Sequence, residues 1–241
     1  MKVVKHVYAF MNDIEITSLW IYVAVMFSGA AVFALWSRKR KGVPRVEYLI
    51  AFLIPVWSGL AYMSMALGQG AILVEGQIVY FARYLDWVVT TPLLLTALAL
   101  TGMFHLKKKD PIIIASLVVA DVVMITTGFI ADLSSGGMVY TWYLIGVTAF
   151  LVILWVIWEP LRKLAKKQDH KLYKVYLIMT AYLTFFWISY PVAWLLGPSG
   201  VGVVGEVGNT LLFVILPIFS KVGFSLLDLV QLRGLRHSVQ A

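Results

Sequence analysis

The 241-residue chain has no cysteine, which excludes disulfide frameworks, thiolate metal sites and cysteine nucleophiles, so nothing in its chemistry depends on thiol redox. Charge is also scarce: 13% of the residues are Asp, Glu, Lys or Arg, against 61% hydrophobic. A soluble chain of this length would carry more apolar surface than it could bury, so the bilayer is the expected solvent. Internal repeats, low-complexity tracts and long linkers are lacking, and the connections between apolar stretches are short, so residues 1–241 read as a single domain.

What is present is a set of seven apolar stretches, near residues 15–37, 45–67, 78–103, 111–131, 137–160, 172–196 and 204–231. Each meets the length of roughly 20 residues that a membrane-spanning helix requires. The expected fold is therefore all-α, a seven-transmembrane helix bundle in the cell membrane. Basic residues set its orientation, because Lys and Arg are retained on the cytoplasmic side. Arg38, Lys39, Arg40, Lys41 and Arg45 fill the first connection, Lys107 to Lys109 the third, Arg162 to Lys174 the fifth, and Arg233 and Arg236 the tail. The connections around 68–77, 132–136 and 197–203 contain no Lys or Arg. The N-terminus is thus expected outside, despite Lys2 and Lys5, and the C-terminus in the cytoplasm. The same loops account for the net charge of +8, which leaves no reason to expect a nucleic-acid partner. The first stretch is too long for a signal peptide and ends in RKRK, so it is expected to be retained.

An ionisable side chain inside a spanning helix is costly and needs a partner, which makes it a functional candidate. Five stand out: Arg83 and Asp86 in the third stretch, Asp121 in the fourth, and Lys221 and Asp228 in the seventh. Lys221 lies in the run 211–227, too far from either end to reach a headgroup easily. A desolvated lysine is a nucleophilic amine suited to condense with an aldehyde. A buried salt bridge is the plainer reading of the same residue, and both readings call for a carboxylate, for which Asp86 is the candidate. Aromatic residues that would wall a rigid apolar chromophore are plentiful: Trp87 beside Asp86, Trp187, Tyr190, Pro191 and Trp194 along the sixth stretch, and Tyr62 on the second.

ARYLDWVVTTPLLL in the third stretch and LPIFSKVGFSLLDL in the seventh resemble the signatures of the microbial rhodopsins. WSGLAYMSMALGQG in the second and WISYPVAWLLGPSG around the sixth agree, so the resemblance covers the whole chain. Within the family the likeness is to the cyanobacterial sensory rhodopsin and the xenorhodopsins, a clade whose pumps move protons inward. The resemblance implies all-trans retinal bound as a Schiff base to Lys221, with Asp86 as counterion and Arg83 shaping the outer electrostatics. Thr90, one turn from Asp86, would bond either that carboxylate or its own helix backbone. The implied pocket comprises Tyr62, Trp87, Leu94, Met124, Gly128, Trp187, Tyr190, Pro191, Trp194 and Pro217, with Tyr143 where many relatives have tryptophan. No enzyme site is visible, and a homotrimer is the assembly the family suggests.

Three departures from the outward pumps of the family narrow the subtype. Ala97 stands where an outward pump has its reprotonating carboxylic acid. Pro217 replaces the second counterion aspartate and also loosens the helix one turn before Lys221. Ser199 and Asn209 align with the paired glutamates of an outward release group. Asp228, seven residues past Lys221, lies on nearly the same helix face and about 10 Å nearer the cytoplasm. It is the expected inward proton acceptor, with Glu47 assisting release; the plainer alternatives are a carboxylate solvated among Arg233 and Arg236, and a helix N-terminal acid. Asp121 is expected to form an interhelical hydrogen bond. The reading is a light-driven inward proton pump; the alternative is a photosensor signalling through a soluble transducer with little net transport.

Overall fold

The computed structural model describes residues 11–74 and 77–237; Lys2 and Lys5 lie outside them. Seven helices among these residues are long and apolar enough to cross a membrane. We number them α1 (Asp13–Ser37), α2 (Arg45–Ala66), α3 (Phe81–Gly102), α4 (Pro111–Asp132), α5 (Gly137–Lys166), α6 (His170–Leu196) and α7 (Glu206–Leu235). Successive helices pack side by side, and α7 closes the ring against α1, α2, α3 and α6. The large apolar residues on the outside of the bundle, such as Ile112, Trp155 and Phe185, are exposed, as expected for side chains that face lipid.

Side-chain caps start several of the helices. Asn12 accepts the amide of Ile14 at 2.9 Å, and the carboxylate of Glu15 returns to the Asn12 amide at 2.9 Å, closing a capping box at α1. Asp110 caps α4, which has Pro at its first position. Asp169 caps α6, and the backbone N–H groups of Leu172 and Lys171 hold its carboxyl below the usual range.

The third span begins at Phe81 rather than near 78. The β-branched residues around it pair instead as a two-stranded antiparallel hairpin, β1 (Ile72–Val74) and β2 (Gln77–Val79), with Ile72 opposite Val79. Gly70, at φ +71°, makes the turn that leads in; a Cβ there would fall 2.5 Å from that of Ala82.

Helices five and seven run past the expected ends, to Lys166 and Leu235, and each contains a π-helical turn. In α5 the turn spans Ile157–Leu161 and includes Pro160, whose missing N–H prevents a regular ladder. The Tyr176 hydroxyl of α6 donates to the Ile157 carbonyl. In α7 the turn spans Ile218–Gly223, directly after Pro217, so the loosening expected from this proline takes the form of a π-bulge that contains Lys221.

Gly102, at the end of α3, makes these contacts possible. A Cβ at this position would meet the Tyr176 ring at 2.9 Å and Leu161 at 3.0 Å. Gly102→Ala is expected to destabilise the bundle by about 1–3 kcal/mol through overpacking, lowering the thermal bleaching midpoint. A midpoint equal to the parent's would show that Tyr176 moves aside freely.

Candidate functional site

Three elements bring polar groups to the middle of the bundle. The π-bulge of α7 presents Lys221, α3 presents Asp86, and α2 presents Ser58; all three are buried. The Nζ of Lys221 is paired with Oδ2 of Asp86 and donates to Oγ of Ser58 at 3.0 Å. These are the contacts of the free lysine amine; once the nitrogen is linked to an aldehyde it carries a single N–H. Ser58 donates to Asp86 Oδ2 at 2.9 Å. The hydroxyl of Thr90 makes both of the bonds anticipated for it, to the Asp86 carbonyl at 2.8 Å and to Oδ1 at 3.2 Å. Lys221 is the one buried lysine among the described residues.

Beside this pair lies an apolar cavity whose walls include Trp87 and Leu94 of α3, Met124 and Gly128 of α4, and Trp187, Tyr190, Pro191 and Trp194 of α6, with Lys221 at its edge. Tyr143 is also in the wall, stacked on Trp194 with ring centroids 4.8 Å apart, and it donates to the Pro191 carbonyl at 3.1 Å. Tyr62 and Pro217 are not among the lining residues. Tyr62 stacks on Tyr22 at 3.9 Å and donates to the Phe213 carbonyl at 2.6 Å, while Pro217 is buried at the foot of the bulge. Tyr84, Thr91, Ile125, Gly146, Val147, Phe150 and Ser220 also line the cavity. Sequence reasoning missed them because none carries a charge at neutral pH and each reads singly as ordinary packing. An apolar, aromatic-walled space with an amine at its edge, itself paired with a buried carboxylate, suits a conjugated aldehyde held as a charged imine.

Toward the end that carries the basic loops, Asp228 is 3% exposed and accepts the Thr101 hydroxyl of α3 at 2.7 Å. It is not solvated among the tail arginines. Arg233 turns away, donating to the carbonyls of Trp36 and Lys39 and to the Tyr48 hydroxyl, with its guanidinium 4.2 Å from the Trp36 ring centroid; the side chain of Arg236 is outside the described set. Glu47 is buried at the start of α2, and its Oε2 has no hydrogen-bond partner among the described residues. Lys109 donates to the carbonyls of Met103, Phe104 and Leu106 at 2.6, 3.0 and 3.1 Å. Burial lowers its affinity for a proton and the nearby Glu47 opposes that effect, leaving a net depression. Ala97 is buried on α3 and offers no titratable group.

Toward the opposite end, Arg83 is buried with its guanidinium 4.3 Å from the Phe213 ring centroid and 5.0 Å from that of Tyr80. Glu15 is 3% exposed and accepts the Thr210 hydroxyl at 2.8 Å; sequence reasoning did not single it out, since it lies at the very start of its span. Asp132 gathers the Tyr84 hydroxyl at 2.6 Å and the Trp194 indole at 2.8 Å, and Ser199 also bonds to it. Asn209 is buried against Gly197. Asp121, inside α4, accepts the Thr91 hydroxyl of α3 at 2.7 Å, an interhelical bond of the expected kind.

Comparison with known proteins agrees with this arrangement. The family model described as bacteriorhodopsin-like protein matches residues 13–235. Archaerhodopsin-2 of Halobacterium sp. (strain aus-2) is 37% identical over 224 residues, covering 89% of this chain and 84% of that protein. Bacteriorhodopsin of Halobacterium salinarum is 36% identical over 221 residues, covering 86% and 81%. Among solved structures, cyanorhodopsin from the cyanobacterium Calothrix sp. NIES-2098 superposes with a TM-score of 0.86 at 30% identity, covering 92% of this chain and 96% of that one. The light-driven proton pump LR (Mac) from Leptosphaeria maculans gives 0.87 at 28% identity, covering 95% and 98%. Members of the family carry retinal covalently as a Schiff base on a lysine and act as light-driven ion pumps or photoreceptors, not enzymes. The chain is a multi-pass, retinal-binding membrane protein that belongs to the bacteriorhodopsin-like microbial rhodopsins.

Proposed function

We propose that this rhodopsin is a light-driven inward proton pump of the xenorhodopsin type, with all-trans retinal on Lys221, the N-terminus outside and the basic loops in the cytoplasm. Bound retinal supplies absorption of light and the change of shape that follows it. The residues do the rest. Asp86 neutralises the charge on Lys221 Nζ in the dark and lies on the outer side of it. Arg83 adds a fixed positive charge on that outer side.

The observation that carries the inward direction is Asp228. It is buried, bonded to Thr101 across the α3–α7 contact, and seven residues past Lys221 on α7. That spacing is about two helical turns, or about 10 Å along the axis, so a proton leaving Nζ reaches Asp228 through a short relay. With Ala97 in α3, no carboxyl group at that position refills Nζ from the cytoplasmic side. Nζ is therefore refilled from outside, by way of Asp86 or water, and the net movement is inward. Glu47, buried at the cytoplasmic start of α2, takes the proton onward from Asp228 to the basic loops, and Lys109 stabilises the charge left on Glu47. Homotrimer formation in the bilayer belongs to the same proposal.

Asp228→Asn tests the assignment. The amide keeps the shape and still accepts the Thr101 hydroxyl but cannot take up a proton. The expected result is an unchanged visible band with light-driven transport reduced about tenfold or more, a modest loss on the scale of removing a positioned proton-transfer group. Transport at the parental rate would place the acceptor elsewhere.

A further inference from the structure

The resting charge of a buried carboxylate survives only when donors and an opposite charge replace its lost hydration. Asp86 is fully buried, and with Pro217 in α7 no second acid shares the counterion's task there. The cations around it are Lys221 of α7 and Arg83 of its own helix, and the phenols are Tyr22 of α1, Tyr62 of α2 and Tyr190 of α6. Of the phenols, Tyr22 is tied to the carboxylate by a single intervening hydroxyl. Its Oη lies 2.6 Å from Ser58 Oγ, and both side chains are 0% exposed.

The direction of the bonds at Ser58 follows from counting hydrogens. A serine hydroxyl has one hydrogen and two acceptor positions. Asp86 Oδ2 cannot donate while ionised, so the Ser58 hydrogen goes to it at 2.9 Å. Tyr22 must then be the donor to Ser58, and the remaining acceptor position faces Lys221 Nζ at 3.0 Å. The phenol, the hydroxyl and the carboxylate thus form a chain with every dipole pointing its positive end at Asp86.

We propose that Ser58 and Tyr22 are positioning residues of the counterion: a two-hydroxyl relay from α1 and α2 that holds Asp86 ionised where this chain has Pro217 in place of a second acid. The relay polarises cooperatively, since a donor that itself accepts a hydrogen bond donates more strongly. Stacking of Tyr22 on Tyr62, with centroids 3.9 Å apart and planes 27° from parallel, holds the ring in the position from which its hydroxyl bonds to Ser58. The inference rests on the assignment of Lys221 and Asp86 as the retinal lysine and its counterion.

The test is an acid titration of the visible band of purified pigment formed with all-trans retinal, for the parent, Ser58→Ala, Ser58→Thr, Tyr22→Phe, the Ser58→Ala/Tyr22→Phe double variant and Asp86→Asn. A charge-assisted hydrogen bond is among the stronger ones, and losing its donor is expected to move the acid colour transition to higher pH by about one unit in Ser58→Ala and somewhat less in Tyr22→Phe. Ser58→Thr restores the parental midpoint because it restores the hydroxyl. The double variant matches Ser58→Ala, because Tyr22 acts only through Ser58. Tyr22→Phe keeps the stacked ring and carries the test even if Ser58→Ala forms no pigment. Midpoints within about 0.3 unit of the parent in both single variants, or additive shifts in the double variant, overturn the relay. If Asp86→Asn keeps both the parental colour and the transition, the underlying counterion assignment fails instead, a distinct result.

Discussion

Lys221→Ala, expressed with added all-trans retinal, yields membranes with no visible band, only the absorption of free retinal. Lys221 is the buried lysine whose amine opens onto the aromatic cavity, and lysines at the helix ends are held at the water interface. Lys221→Arg fails in the same way. Its guanidinium stays protonated, so it provides no nucleophile. The alanine variant has a second consequence. Asp86 loses the cation of its buried pair, and breaking such a pair by removing one partner typically costs about 3–5 kcal/mol. The apoprotein is therefore expected to unfold at lower temperature than the parental apoprotein, and Asp86→Asn in the same background is expected to recover part of the loss. Pigment formation in Lys221→Ala would transfer the attachment to another lysine.

Asp86→Asn is the second large effect. The carboxylate lowers the energy of positive charge localised at Nζ, and excitation moves that charge away from Nζ along the polyene. Removing the carboxylate therefore closes the energy gap, and the absorption band is expected to shift to longer wavelength. Light-driven transport should fall as well, because the outer route proposed for refilling Nζ includes this group. Ser58 and Thr90 still have an oxygen to donate to, so the fold is retained. An Asp86→Asn pigment with parental colour would mean that another acid neutralises Nζ, and Asp121 would be the next residue to examine, since it is buried on α4 beside Thr91 of the cavity wall.

The sequence carried the seven spans and the charged pair at their centre because both follow from one rule: what enters the bilayer must be apolar or must be paired. The same rule overlooked the hydroxyls. Ser58, Thr101 and Tyr22 carry no charge, and a single sequence does not distinguish the first two from residues that bond to their own helix, or the third from a packing aromatic. The structure shows that two of them reach a carboxylate directly and the third does so through Ser58. Tyr62 was expected at the cavity on the strength of its aromatic ring, but its stacking on Tyr22 takes it into the cluster behind the counterion. The ends of α5 and α7 differ from hydropathy where local chemistry overrides it, because the π-turns let both helices continue past their prolines, while β-branched pairing sets the start of α3 close to the expected position. Asp228 was ambiguous for a related reason. Sequence spacing put two arginines close by, whereas Arg233 is occupied by the backbone at the end of α1 and by Tyr48, which leaves the carboxylate to Thr101.

The direction of transport is tested most directly by recording external pH in an unbuffered suspension of cells expressing the pigment, under illumination, with and without a protonophore. Inward pumping predicts alkalinisation of the medium on illumination, abolished by the protonophore. Acidification would contradict it, showing that protons leave the cell even with Ala97 in α3, and an unchanged pH in fully pigmented cells would contradict it in favour of a photosensor.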